Sequence, residues 1–218
     1  MFKKVGYIMK HVLKIMGFLI GLTNLLFAIS FAKTFSPGGW DACRSIQQTS
    51  DGGYIVAGYT QSFGAGSYDF LVIKLNSNGD IGWSKTFGGD SLDEAFSIQQ
   101  TSDGGYIVAG RTYSFGAGSY DFLVIKLNSN GDIGWSKTFG GDSLDEAFSI
   151  QQTSDGGYIV AGYTWSFGAG DRDFLVIKLN SNGDIEWSKT FGGGIYDIAT
   201  SIQQTSDGGY IIAGWTKS

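Results

Sequence analysis

The chain has 218 residues, 35 of them Gly and only one Pro, with 42% hydrophobic and 16% charged residues; these proportions suit one globular domain plus a short extra segment and exclude a collagen-like repeat or a disordered tail. Four of the 15 basic residues and none of the 20 acidic ones fall within residues 1–32, so the remainder is strongly acidic and is not expected to bind nucleic acid or anionic lipid, which are held by clustered Lys and Arg. Cys43 is the only cysteine and His11 the only histidine, which excludes an intrachain disulfide, a cysteine-based zinc site and, beyond the first 32 residues, any imidazole-based catalysis.

In chain order, residues 1–32 run from Lys3 and Lys4 through an apolar stretch beginning at Ile15 to the small residues Ala28, Ser30 and Ala32. This order reads as the charged, apolar and cleavage regions of a secretory signal peptide over residues 1–28. An uncleaved N-terminal membrane anchor is the other reading of the same stretch. Either one places the rest of the chain in a secreted, periplasmic or cell-surface location.

From Ser45 onward the chain repeats. SIQQTSDGGYI begins at Ser45, Ser97, Ser149 and Ser201, giving units 45–96, 97–148 and 149–200 and a partial unit 201–218. The first two units differ only at Tyr59/Arg111 and Gln61/Tyr113. Within each unit SIQQT, GGYIVAGYT, DFLVIKL and DIGWSKTF have the apolar and β-branched content of strands. SDGG joins the first pair and NSNGD the last pair, as tight hairpin turns. The other links, SFGAGSYD and GGDSLDEAF, are longer, and in an up-and-down meander both lie at one end of the unit. Four-stranded antiparallel units of this length in tandem predict an all-β protein, a β-propeller with three complete blades and a partial or composite fourth, within a domain spanning 29–218. An open β-solenoid is the competing architecture. Ile55, Val72, Ile73 and Trp83 are read as packing between blades.

The segment GGDSLDEAFSIQQTSDGGYIVAGRTYS (88–114) is similar to the repeat of a bacterial and archaeal secreted β-propeller family, with the pattern G-G-x-x-x-D-x-A-x-x-I followed by a Gly turn and V-x-G-x-T-x-S. The match recurs at 140–166 and less closely at 192–218. The resemblance implies an exported or surface-attached propeller with no catalytic residues to carry over.

Residues 29–35 align with the fourth strand of a unit, Lys33-Thr34-Phe35 falling on Lys85-Thr86-Phe87. The chain ends could then pair in a composite blade that closes a four-bladed ring, two or more chains could complete a larger ring as a homo-oligomer, or the array could be a remnant of a longer one.

No enzyme activity, metal or cofactor is expected. Asp93–Glu94 and Asp145–Glu146 are read as solvated loop carboxylates or caps of local backbone N–H groups. NSNGD has Gly in fourth place where an EF-hand loop has it sixth, so a turn accounts for its oxygens. Cys43 aligns with Ala95, Ala147 and Ala199 and is expected to be a small buried packing residue. The informative positions are those that vary between near-identical units, at the end of the second strand: Tyr59, Arg111, Tyr113, Tyr163, Trp165 and Trp215, with Arg172 and Tyr196 on the same end. Aromatic and Arg side chains dominate binding surfaces, so these eight are the candidate ligand-binding residues, for a carbohydrate or a protein. The alternative is a structural, self-assembling repeat without a ligand of its own.

Overall fold

The computed structural model describes residues 38–217, which hold 14 strands and no helix. The signal-peptide reading of 1–28 and the strand expected at 29–35 lie outside the described residues. Strands β1 (Asp41–Gln48), β2 (Tyr54–Thr60), β3 (Asp69–Leu75) and β4 (Ile81–Phe87) form one antiparallel meander. The pattern repeats as β5 (Asp93–Gln100), β6 (Tyr106–Thr112), β7 (Asp121–Leu127) and β8 (Ile133–Phe139), and as β9 (Asp145–Gln152), β10 (Tyr158–Thr164), β11 (Asp173–Leu179) and β12 (Ile185–Phe191). A two-stranded sheet of β13 (Tyr196–Gln204) and β14 (Tyr210–Lys217) follows. These are the blades of a β-propeller, three complete and one partial.

The turns form for local reasons. Gly52 and Gly79 have φ of 78° and 80°, the left-handed region that a tight turn needs. Asn76 Oδ1 accepts from the N–H of Asn78 and of Asp80, each at 2.9 Å, so the NSNGD oxygen is committed to its own turn. Asp51 accepts from Gly53 N–H at 3.0 Å and from Lys74 Nζ at 2.8 Å, which lets a lysine sit within the buried strand β3 while its ammonium reaches the turn.

Packing runs from each blade to the next. Ile55, Ala57, Phe70 and Val72 of the first blade share a core with Ala95, Ile98, Tyr106 and Val108 of the second, and Trp83 stands edge-on to Tyr106 at 5.8 Å. The same cluster forms between the second and third blades around Ile107 and Ile150, and between the third and fourth around Ile159 and Ile202. Both faces of a complete blade are therefore covered, which is why DFLVIKL is buried at every position in β3 and β7 and carries no polar face.

The first strand of each blade is innermost, and β1, β5, β9 and β13 together line a channel of about 320 Å³. A side-chain ladder ties these strands. Gln47 Oε1 accepts from Gln100 N–H at 2.6 Å, Gln99 from Gln152 at 2.6 Å and Gln151 from Gln204 at 2.8 Å. Ser45, Ser97 and Ser149 Oγ accept from the N–H of Ile98, Ile150 and Ile202. β5, β9 and β13 thus each take spare backbone donors to the blade before them.

Two expectations are corrected. Cys43 is exposed, because nothing among the described residues covers β1 in the way that the first blade covers Ala95. Asp93, Glu94, Asp145 and Glu146 are buried and begin strands β5 and β9 four residues earlier than the repeat pattern suggested. Asp93 and Asp145 do cap, accepting from the N–H of Gly89 and Gly141 at 2.9 Å, but from inside the sheet.

Candidate functional site

Both long links of each unit lie at one end of the blades, and there neighbouring blades are stitched together. Asp93 N–H donates to Tyr68 O at 2.8 Å, Asp145 N–H to Tyr120 O at 2.7 Å and Arg172 N–H to Ile195 O at 3.0 Å. On this frame the aromatic and arginine side chains form a connected band.

The band is built on a bulge. In β5 the register shifts between Ala95 and Ser97, and in β9 the same shift falls at Ala147 and Ser149. The partner residues Gly110 and Gly162 permit it: a Cβ there would sit 2.0 Å from Glu94 O or 1.8 Å from Glu146 O. The extra residues, Phe96 and Phe148, meet each other at 5.3 Å between ring centroids.

Around them Arg111 lies between two buried carboxylates, bonding Glu94 through Nε at 2.6 Å and Glu146 through Nη1 at 2.7 Å, while its guanidinium covers the Tyr120 ring at 4.4 Å. Burial works against its charge, and the Glu146 and Glu94 carboxylates more than offset this, so its pKa is raised. Tyr163 is 3% exposed and packs on Phe148 at 5.9 Å; burial, reinforced by its hydrogen bond to Glu146, raises its phenol pKa.

Arg172 occupies the next position in the band. Its guanidinium lies 4.6 Å from the Tyr163 ring, 5.2 Å from Trp165 and 5.3 Å from Tyr196. Its Nε is buried without a hydrogen-bond partner among the described residues. Trp165 is 40% exposed.

The eight residues selected from the sequence thus divide. Tyr163, Trp165, Arg172 and Tyr196 come together. Arg111 and Tyr113 join through Tyr120, which Tyr113 meets edge-on at 5.2 Å. Tyr59 belongs to the first-blade end of the band, where Arg44 covers its ring at 5.3 Å and also reaches Phe96. Trp215 is half-exposed on β14, opposite Ile198. Phe96 and Phe148 were missed, and Glu94 and Glu146 were read as solvated loop carboxylates or caps. Their signal is the Gly within the apolar run VAG of the second strand, which marks a bulge on its partner.

Two larger grooves, each of about 460 Å³, lie elsewhere, between the outer strands of neighbouring blades; Phe87, Phe115 and Ile133 line one, and Phe139, Phe167 and Ile185 the other. They are copies of one packing gap and contain none of the band. Among the described residues no three His, Cys, Asp or Glu side chains converge as metal ligands would.

Comparison with known proteins bears on the repeat. The family described as a domain of unknown function, the DUF5122 beta-propeller, matches residues 49–81, 101–133 and 153–186, each time from the first hairpin turn to the start of the fourth strand. No curated protein matches. Among solved structures, the crystal structure of a protein of unknown function from Bacteroides caccae aligns with 14% identity and a TM-score of 0.47, covering 79% of this chain and 53% of its own. The chain therefore spans about half the length of that protein. The family match falls once in each complete four-stranded blade, so the repeat unit of this chain matches that of a β-propeller repeat family.

Proposed function

We propose that the chain is an exported, non-catalytic binding module, and that the band at the long-link end of its blades takes up a carbohydrate. The observation that carries this reading is Arg172: a cation packed among three aromatic rings, with a buried donor that no described residue satisfies, beside the accessible ring of Trp165. An indole face suits the apolar face of a sugar ring, and a guanidinium beside it supplies donors to sugar oxygens. The charged residues that a catalytic reading would use, Glu94 and Glu146, are both engaged by Arg111, which supports their serving as the structural floor of the band. Export rests on the order of charged, apolar and small residues over 1–32.

The test is a glycan panel titrated against tryptophan fluorescence. A responding glycan should lose at least tenfold in affinity with Trp165→Ala and with Arg172→Gln, and much less with Trp83→Phe, which alters a tryptophan outside the band. If no glycan responds but a protein partner is captured in a Trp165-dependent manner, the ligand class is wrong and the surface right. Binding indifferent to both substitutions would remove the proposal.

A further inference from the structure

We infer that the two ends of the blade series are complementary halves of a fourth blade interface, and that a second copy of this chain completes it head to tail. The inference is independent of the ligand-binding proposal. It rests on three internal interfaces that use the same innermost-strand parts, and on finding those of β1 and of the last blade exposed while the outer strands of the first blade are already covered.

On the trailing face of a blade the recurring apolar residue is Ile55, Ile107 or Ile159, each fully buried; its equivalent in the last blade, Ile211, is 61% exposed. On the leading face it is Ile98, Ile150 or Ile202, each 5% exposed; its equivalent in the first blade, Ile46, is 66% exposed. Cys43 is exposed beside Ile46 although its counterparts Ala95, Ala147 and Ala199 are fully buried. The polar groups follow the same rule. Ser201 and Gln203 stand where Ser149 and Gln151 accept from the next blade, and no described residue donates to them. The N–H groups of Ile46 and Gln48 stand where those of Ile98 and Gln100 find a Ser and a Gln of the preceding blade. The return bond, Ser154 N–H to Gln204 Oε1 at 2.8 Å, has its unmade equivalent in Ser206 and Gln48.

On the first blade Val56, Leu71 and Ile73 are already buried, which leaves the innermost strand β1 as the open strip. The last blade offers β13 and β14. Within one chain these ends do not meet: β1 and β13 border the same channel, yet Ile46 and Ile211 both remain mostly exposed. A second copy related by a two-fold rotation about the channel brings each Ile46 to the other chain's Ile211 and closes the ring with two identical contacts.

The test measures the mass of the full chain by light scattering together with the rate at which a maleimide labels Cys43. The expected result is twice the 23.4 kDa chain mass, and Cys43 labelling that is slow at high concentration and at least tenfold faster on dilution. Ile46→Asp and Ile211→Asp, both at exposed positions, should each halve the mass and speed labelling, with an unchanged far-ultraviolet circular dichroism spectrum. Mixing Ile211→Lys with Ile46→Asp should restore some paired species. A single-chain mass across the concentration range, with Cys43 slow or fast, would overturn the inference in favour of internal closure or of open ends. So would a doubled mass that survives both Asp substitutions, or a mass that climbs without a plateau.

Discussion

Between Arg111 and its neighbours the balance of forces is set by burial. Arg111 is the ionic partner that Glu94 and Glu146 share inside the sheet, and removing it would leave two buried carboxylates without that partner, so this one residue, absent from the equivalent place in every other unit, is needed where it stands. Other buried carboxyls lack such a partner. Burial, with the charge of Asp93, pushes Asp69 up to about 6, and burial, with the charge of Asp145, does the same for Asp121 against the N–H of Ala117. A raised folded pKa means that the unfolded chain ionises first, so the stability these groups contribute is complete below about pH 3.8 and is lost as pH rises through about 6. Asp155 acts in the opposite sense: the Thr153 hydroxyl and Lys178 hold it down to about 2, and its contribution is lost as pH falls below the ordinary carboxylate range. The thermal midpoint should therefore be higher at pH 5 than at pH 7, and Asp69→Asn with Asp121→Asn should remove most of that difference in calorimetry. None of this was legible from DFLVIKL or LDEAF, because a carboxylate next to a Gly-rich link looks solvated until the neighbouring blade is placed over it.

For the strand and the turn, the sequence was informative wherever the backbone had one solution. NSNGD and SDGG are hairpins because Gly must supply the positive φ and Asn or Asp must satisfy the turn N–H groups, and both were readable without coordinates. The start of the innermost strand was not, since the bulge at Phe96 and Phe148 breaks the alternation that would have announced β5 and β9 from Asp93 and Asp145. The bulge depends on its glycine. Gly162→Ala would drive a methyl group to 1.8 Å from Glu146 O, against the backbone of β9, and should cost roughly 3 kcal/mol in urea denaturation. The same change at Gly156, where nothing lies within 4 Å but φ is 82°, should cost about 1 kcal/mol, from backbone strain alone.

For the molecule as a whole, repetition made the blade count and the packing face legible, and it also misled. Aligning Cys43 with Ala95 assumes that every blade has a neighbour on both sides, an assumption that holds for the interior of a series and fails at its ends. Equivalent isoleucines measure the difference. Ile107→Ala should cost about 3 kcal/mol, whereas Ile211→Ala should change the stability of an isolated chain by no more than about 0.5 kcal/mol, both read from denaturation at high dilution. Because the units at 45–96 and 97–148 differ at only two positions, the chain is also degenerate to a slip of 52 residues: a hairpin that docks one unit out of place finds nearly the contacts it would find in place. Local contact energies then cannot tell the correct order from its neighbour, and that discrimination falls to connectivity, through links too short to let a blade skip its place.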